Sequence, residues 1–420
     1  MVRRANGFSL VELIIAMGIM LTITAAIFGL MDPAQGTFSA QPEVADMQQR
    51  LRVAQDALQK DLIMAGAGLH QVVSPEVGPA PQPTLGALGF YFAPVLPFRQ
   101  GAVADDGVGQ FFSDRITLFY VPSTSAQGVI SALAPPPGNG PPNDLQAGAD
   151  NTFDIWCPTI DPMTNQTCGV GQGHTILIVD DTGNYDTFSV TKTNGAIVTV
   201  NKPADAAPTT YQAGSQVVEI VGRTYSMQLF NDPVTKTAYY RLMSYDGTVA
   251  ANDAPVVDHV VGLTFTYFGD PQPPQLTGKP FSSAGPWTTY GPKPPALGAA
   301  GGTAYPLGEN CAFAVAGGAH VPRLATLAGG NSMTLVQLGA PELTDGPWCP
   351  DVNNANRWDA DLLRIRKIGI KLRVEATVDA LRGPAGPLFT RAGTSRGGNK
   401  WVPDQELSFE VSPRNLNLNR

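Results

Sequence analysis

Charged side chains are scarce in this chain, at 15% of 420 residues, and they lean acidic: 27 Lys and Arg against 35 Asp and Glu, a formal net charge of −8. A surface of that sign does not neutralise phosphates, so bulk charge disfavours a nucleic-acid partner. Histidine is rarer still. His70, His174, His259 and His320 are scattered and none forms an HExxH-type pair, so they read as core or solvent-facing residues. The four cysteines form no CxxC and no zinc spacing, which argues against metal held by sulfur. There is no G-x-S-x-G elbow and no Walker sequence. Gly169-Val-Gly171-Gln-Gly173 precedes a strand-like run, whereas a dinucleotide fingerprint must follow one, so it reads as a turn. The expectation is a chain that is not an enzyme, without a cofactor and without an internal repeat.

What the chain has in quantity is Gly (45), Pro (37) and hydrophobic residues (43%). That is enough apolar surface for a sizeable core and enough turn formers for a strand-rich body with long loops. Its longest apolar run comes first. Arg3 and Arg4 precede a stretch from Phe8 to Met31, which as a helix spans roughly 36 Å and suffices to cross a bilayer core. The positive-inside rule keeps the basic pair cytoplasmic.

Glu12 does not belong in an ordinary anchor, because a carboxylate in an apolar helix costs about 2.5–3.5 kcal/mol on insertion scales and demands compensation. The segment Gly7-Phe8-Ser9-Leu10-Val11-Glu12-Leu13, with its short basic leader and apolar tail, resembles the processing motif of type IV prepilins and type II secretion pseudopilins. The resemblance implies cleavage after Gly7 by a prepilin peptidase and N-methylation of Phe8. It further implies that Glu12 pairs with the new terminal amine of a neighbouring subunit and so sets axial register. Cleavage ahead of the apolar tract keeps the helix in the product, unlike a secretory signal peptide.

Further along, Asp32-Pro33 and Gln41-Pro42 predict a bend or melted stretch. From Glu43 an apolar stripe resumes at Val44, Met47, Leu51, Ala54, Leu58 and Leu62, ending near Gly66 and Gly68, which predicts an amphipathic helix packed on a sheet. Gly29 stands where many pilins carry proline, which leaves the place of the break open. Beyond His70 come β-branched and aromatic runs: 115–121, 175–179, 196–200, 216–220, 224–230, 238–243, 257–267, 366–377 and 406–411. Short turns such as 181–184 and 246–247 predict mostly antiparallel pairing. The Pro- and Gly-rich stretches 74–100, 122–150, 270–310 and 383–400 read as loop insertions on one body. Asp61-Leu62, Ala65-Gly66, Val260–Tyr267, Arg366–Ile370 and Val411–Asn415 together resemble the large minor pilins of the PilW kind and their pseudopilin J relatives. That likeness implies a subunit that helps initiate or cap a filament.

The expected fold is α+β: a leader at 1–7, a transmembrane and filament-core helix at 8–31, a helix break and amphipathic helix at 32–68, and a β-rich body at 69–420 outside the inner membrane. The implied partners are the peptidase, other pilin or pseudopilin subunits and the membrane. Four cysteines in an exported chain read as disulfides; of three connectivities, the local one, Cys157 with Cys168 and Cys311 with Cys349, is favoured. Asp180, Asp181, Asn184 and Asp186 could hold Ca²⁺, yet a hairpin turn explains the same residues, and no metal is expected. A type II secretion pseudopilin, or a surface-anchored carbohydrate-binding module or hydrolase that borrows the export signal, are the rival readings.

Overall fold

In the computed structural model, residues 9–67, 93–100, 106–107, 109–122, 127–133, 144–145, 150–156, 168–179, 185–194, 197–201, 209–210, 213–247, 250–277, 287–291, 294–299, 305–328, 334–349, 357–378, 381–382 and 402–417 are described. One helix, α1 (Leu10–Met64), carries both the apolar segment and the amphipathic one. The break expected at Asp32-Pro33 and Gln41-Pro42 does not occur. Each proline removes one i→i−4 bond from a 55-residue helix, a local penalty of ~3 kcal/mol, and the intact turns on either side carry the helix through. At its far end Gly66 takes φ +76°, and a Cβ there would come within 2.9 Å of Leu416. The helix stops where only glycine fits.

The chain then builds a body in three parts. Strands β1 (Val95–Leu96) and β2 (Arg115–Tyr120) begin an antiparallel sheet. Before that sheet continues, an insertion forms β3 (Gln127–Leu133), β4 (Asp144–Leu145), β5 (Asp150–Trp156), β6 (Thr175–Val179), β7 (Tyr185–Asn194), β8 (Ile197–Asn201), β9 (Thr209–Thr210) and β10 (Gln216–Glu219). Six of these close into a barrel of order β10-β3-β5-β8-β7-β6. The chain re-enters the sheet through β11 (Val221–Asn231), where Val221 pairs with Tyr120, so the barrel hangs between two adjacent residues of one ladder. Strands β12 (Ala238–Tyr245) and β13 (Ala254–Asp258) complete the sheet in the order β1-β2-β11-β12-β13.

The expected single strand over 257–267 is instead two. His259 adopts φ +57°, a left-handed turn that separates β13 from β14 (Val260–Gly269) and passes the chain to a second sheet. The rest comprises β15 (Leu276–Thr277), β16 (Trp287–Thr288), β17 (Phe313–Ala316), β18 (Ala319–Pro322), β19 (Val336–Leu338), the short helix α2 (Ala340–Leu343), β20 (Trp348–Cys349), β21 (Trp358–Asp359), β22 (Ile365–Val374) and β23 (Gln405–Val411). The second sheet runs β19-β14-β22-β23. Among the described residues every strand-to-strand ladder is antiparallel, and an isolated bridge, Arg382 to Val402, is parallel. The body is therefore the α+β arrangement expected, although 122–150, read as loop, contains β3 of the barrel wall, the short strand β4 and the first residue of β5.

Two separate cores follow from strand alternation. Ile176 and Ile178 of β6 face the barrel interior with Phe153, Phe188 and Val200, whereas Leu177 between them joins the body core. Met47, Ala54, Leu58 and Leu62 of α1 are fully buried in that same body core. Leu58→Ala is expected to cost about 2–5 kcal/mol, read as a lower midpoint in denaturant unfolding; a change under ~0.5 kcal/mol, typical of surface sites, would show that the stripe does not hold α1 to the sheet.

Candidate functional site

The N-terminal segment Leu10–Gly29 is long and apolar enough to cross a membrane, and none of it is buried against the rest of the chain. Its polar groups are satisfied internally. Ser9 Oγ accepts the Glu12 N–H at 3.2 Å, while the Ser9 N–H donates to Glu12 Oε2 at 3.0 Å, a reciprocal capping box. Thr22 and Thr24 donate their hydroxyls to carbonyls one turn back, at Ile19 and Met20. Such self-satisfaction is what a helix in an apolar medium requires. Glu12 thus has a partner within its own chain, before any neighbour arrives. Gly7 and Phe8 lie outside the described residues.

At the other end of α1, Asp61 is only 7% exposed. Tyr120 on β2 donates its hydroxyl to Oδ1 at 2.9 Å, Tyr225 on β11 donates to Oδ2 at 2.7 Å, and Arg223 Nε stands 3.8 Å away. Burial first, and the Asp61 charge second, push both phenols well above their ordinary range, so they stay protonated as donors. Two further clips hold the lower part of this segment. Arg50 donates to the Asp258 carbonyl and the Thr377 hydroxyl, and the Thr377 N–H donates to Glu43. Asp61 entered the sequence analysis as part of a likeness; its role as a buried anchor needed the two tyrosines, 59 and 164 residues away.

A third cluster had no sequence signal beyond an acidic pattern. Carboxylate oxygens of Asp345, Asp359 and Asp361 lie within 4.8 Å of one another, a spacing that could hold a metal ion. Asp359 accepts N–H bonds from Gly346 and Asp361, and Arg364, fully buried, sets its Nε on Asp361. The other Arg364 nitrogens donate to the carbonyls of Asp270, Pro271 and Ala325. One cation among three carboxylates leaves negative charge in excess. Burial, opposed by Arg364 and aided by Asp359, pushes Asp361 up to about 8, and burial pushes Asp359 up to about 6. Burial thus favours the protonated form of both carboxyls, and Arg364 offsets it at Asp361.

The remaining predicted residues are dispersed. Cys311 and Cys349 form a disulfide beside β20 and β21, and Cys168 is also disulfide-bonded; Cys157 lies outside the described residues. Among the calcium candidates, Asp180, Asp181 and Asn184 are outside the described residues, and Asp186 stands opposite Ile178 in the β6–β7 ladder. Cys168, Gly169 and Gly173 all take positive φ, as the turn reading of that glycine run requires. His174 stands 3.5 Å from Glu219, His259 stacks on Tyr239, and His320 bonds the Gly308 carbonyl, three separate places.

Comparison with known proteins adds one finding. Residues 2–28 match the family model for the prokaryotic N-terminal methylation motif. No curated protein and no solved structure matches the chain. The motif is that of type IV prepilin-like export signals, and with it comes an exposed apolar helical segment, a combination that fits membrane anchoring.

The acid cluster sets a pH dependence with a definite sign. A carboxyl whose folded pKa is raised stabilises fully below its unfolded value, about 3.9, and that contribution is lost as pH rises through the folded value, about 8 for Asp361. Asp361→Asn, which keeps the shape without a titrating proton, is expected to gain in thermal midpoint relative to wild type as pH goes from 5 to 9. A difference constant across that range would show that the Asp361 carboxyl pKa is not raised.

Proposed function

We propose that this chain is a non-enzymatic subunit of a type IV pilus or related filament, and a minor one that helps initiate or cap it. The observation that carries the reading is the methylation motif at 2–28 joined to an apolar helical segment, Leu10–Gly29, of which nothing is buried in its own chain. A largely apolar segment of 20 residues with none buried in its own chain needs a bilayer or neighbouring helices around it, and a filament subunit uses both in turn. Prepilin peptidase cleaves after Gly7 and Phe8 is methylated. The body is then displayed beyond the inner membrane while neighbouring subunits surround α1.

In this mechanism Glu12 has two successive partners. In the precursor its carboxylate is held by the Ser9 N–H; in the filament the amine of a neighbour's first residue offers a charged partner, stronger by roughly twofold than a neutral donor. Helix packing supplies cohesion and that ion pair supplies register. The minor role is supported by the size of the body and its barrel insertion, which is bulky for a subunit repeated along a shaft.

Mass spectrometry of the mature protein is expected to find N-methylated Phe8 as the first residue. A start at Met1, or anywhere beyond Met31, would overturn the proposal. Glu12→Ala is expected to be processed as wild type and to enter filaments poorly, measured as the ratio of sheared to cell-bound protein; undiminished entry would dismiss the pairing role.

A further inference from the structure

Strands β11 and β12 run on past the sheet that contains them. β2 pairs with β11 only as far as Ser226, and β13 pairs with β12 only over Arg241–Ser244. Residues 227–231 and 238–240 therefore form a two-stranded arm with each other as their one ladder partner among the described residues. The arm is joined by a turn in which Asp232 accepts the N–H groups of Val234 and Thr235. A lone hairpin in water is marginal at best, so a protruding one needs its faces covered.

One face is covered from within. Arg241 stacks over Phe230, pairs with Asp258 and donates to the Tyr239 hydroxyl, and Tyr239 stacks on the His259 ring at 4.2 Å. The other face is bare. Leu229 and Tyr240, directly opposite each other, are 55% and 48% exposed, and Val234 at the turn is 85% exposed. Strand alternation puts Leu229 and Tyr240 on the same face as Tyr225 and Leu242, which is the face that carries α1: Tyr225 bonds Asp61, and Leu242 is in the core with Leu58. The positions of that face on the arm, Leu229, Asn231, Ala238 and Tyr240, include no charge.

We propose that this bare face of the β11–β12 arm is a second contact surface between subunits, and that its occupant is the helix of a neighbouring pilin-type subunit. The inference rests on the filament reading. If α1 faces the interior of the assembly, the side of the sheet that carries α1 faces it too, and with it the uncharged face of the arm, where Asn231 is the polar neighbour of Leu229 and Tyr240. An uncharged patch centred on an aromatic and a leucine matches an apolar helical flank, which packs by dispersion and burial. The internally filled opposite face, ion-paired and stacked, keeps the arm in place while the bare face waits.

The test uses the full chain in cells that assemble it. A benzophenone amino acid at Tyr240 is expected to cross-link, in sheared filaments, to a second polypeptide whose own N-terminus carries the methylated prepilin-type motif, identified by mass spectrometry. Cross-links confined to lipid, to the same chain or to proteins without that motif would overturn the proposal. In parallel, Leu229→Asp with Tyr240→Asp is expected to keep the thermal midpoint, since both side chains are exposed, and to lower filament entry at least ~5-fold, the threshold for a contributing interface residue. Entry equal to wild type would dismiss the arm alone. Wild-type protein absent from filaments would dismiss the filament reading and the arm with it.

Discussion

The burial of Asp61 constrains the rest of the structure. A carboxylate taken into an apolar interface must find donors or cost several kcal/mol, and the donors here are two tyrosines on adjacent strands of one sheet. That requirement sets where along β2 and β11 the helix lies and which way round it sits. Once Asp61 is seated, the apolar stripe from Leu62 back to Met47 falls on the sheet, and Arg50 and Glu43 reach Asp258 and Thr377. The non-directional term, apolar burial, supplies the strength. The directional term, one charge with two hydroxyl partners, selects the register.

Much of this was legible in the amino-acid sequence. The exposed apolar helix, the amphipathic stripe and most strands of both open sheets announce themselves by period, because period is what packing on one face imposes. The Gly7–Leu13 pattern was legible for a different reason: it is a chemical address read by other proteins, so it must be written locally. What escaped was non-local or diluted. β3, Gln127–Leu133, hides among Gly, Ser and Ala between proline-rich stretches, yet β5 carried an overlooked alternation, with Phe153 and Ile155 buried and polar residues between. The two prolines of α1 misled because their effect depends on how much helix surrounds them. His259 misled because nothing in a run of β-branched residues marks the one that turns left-handed.

The acidic cluster and the tyrosine anchor are two ways to bury charge. Asp61 stays paired because its partners are hydroxyls that hold their protons. Asp359 and Asp361 lie beside Arg364, which pairs with Asp361, and burial shifts both towards the protonated form. Neither arrangement has a local signature, since each gathers residues far apart in sequence. Both serve positioning: one holds the helix to the first sheet, and the other ties the turn before β22 to β20, next to the Cys311–Cys349 disulfide.

The attachment of the barrel has a mechanical meaning. A pull along α1 enters the body at Glu43, Arg50 and Asp61 and spreads into strands of the two open sheets. The chain enters and leaves the barrel at Tyr120 and Val221, which already pair with each other in the ladder, while Leu177 and Val218 pack the barrel on the body core. A load crossing the sheet passes from one to the other without traversing the barrel's six strands. The insertion is therefore cargo: as long as that ladder holds, tension along the sheet bypasses the barrel's strands.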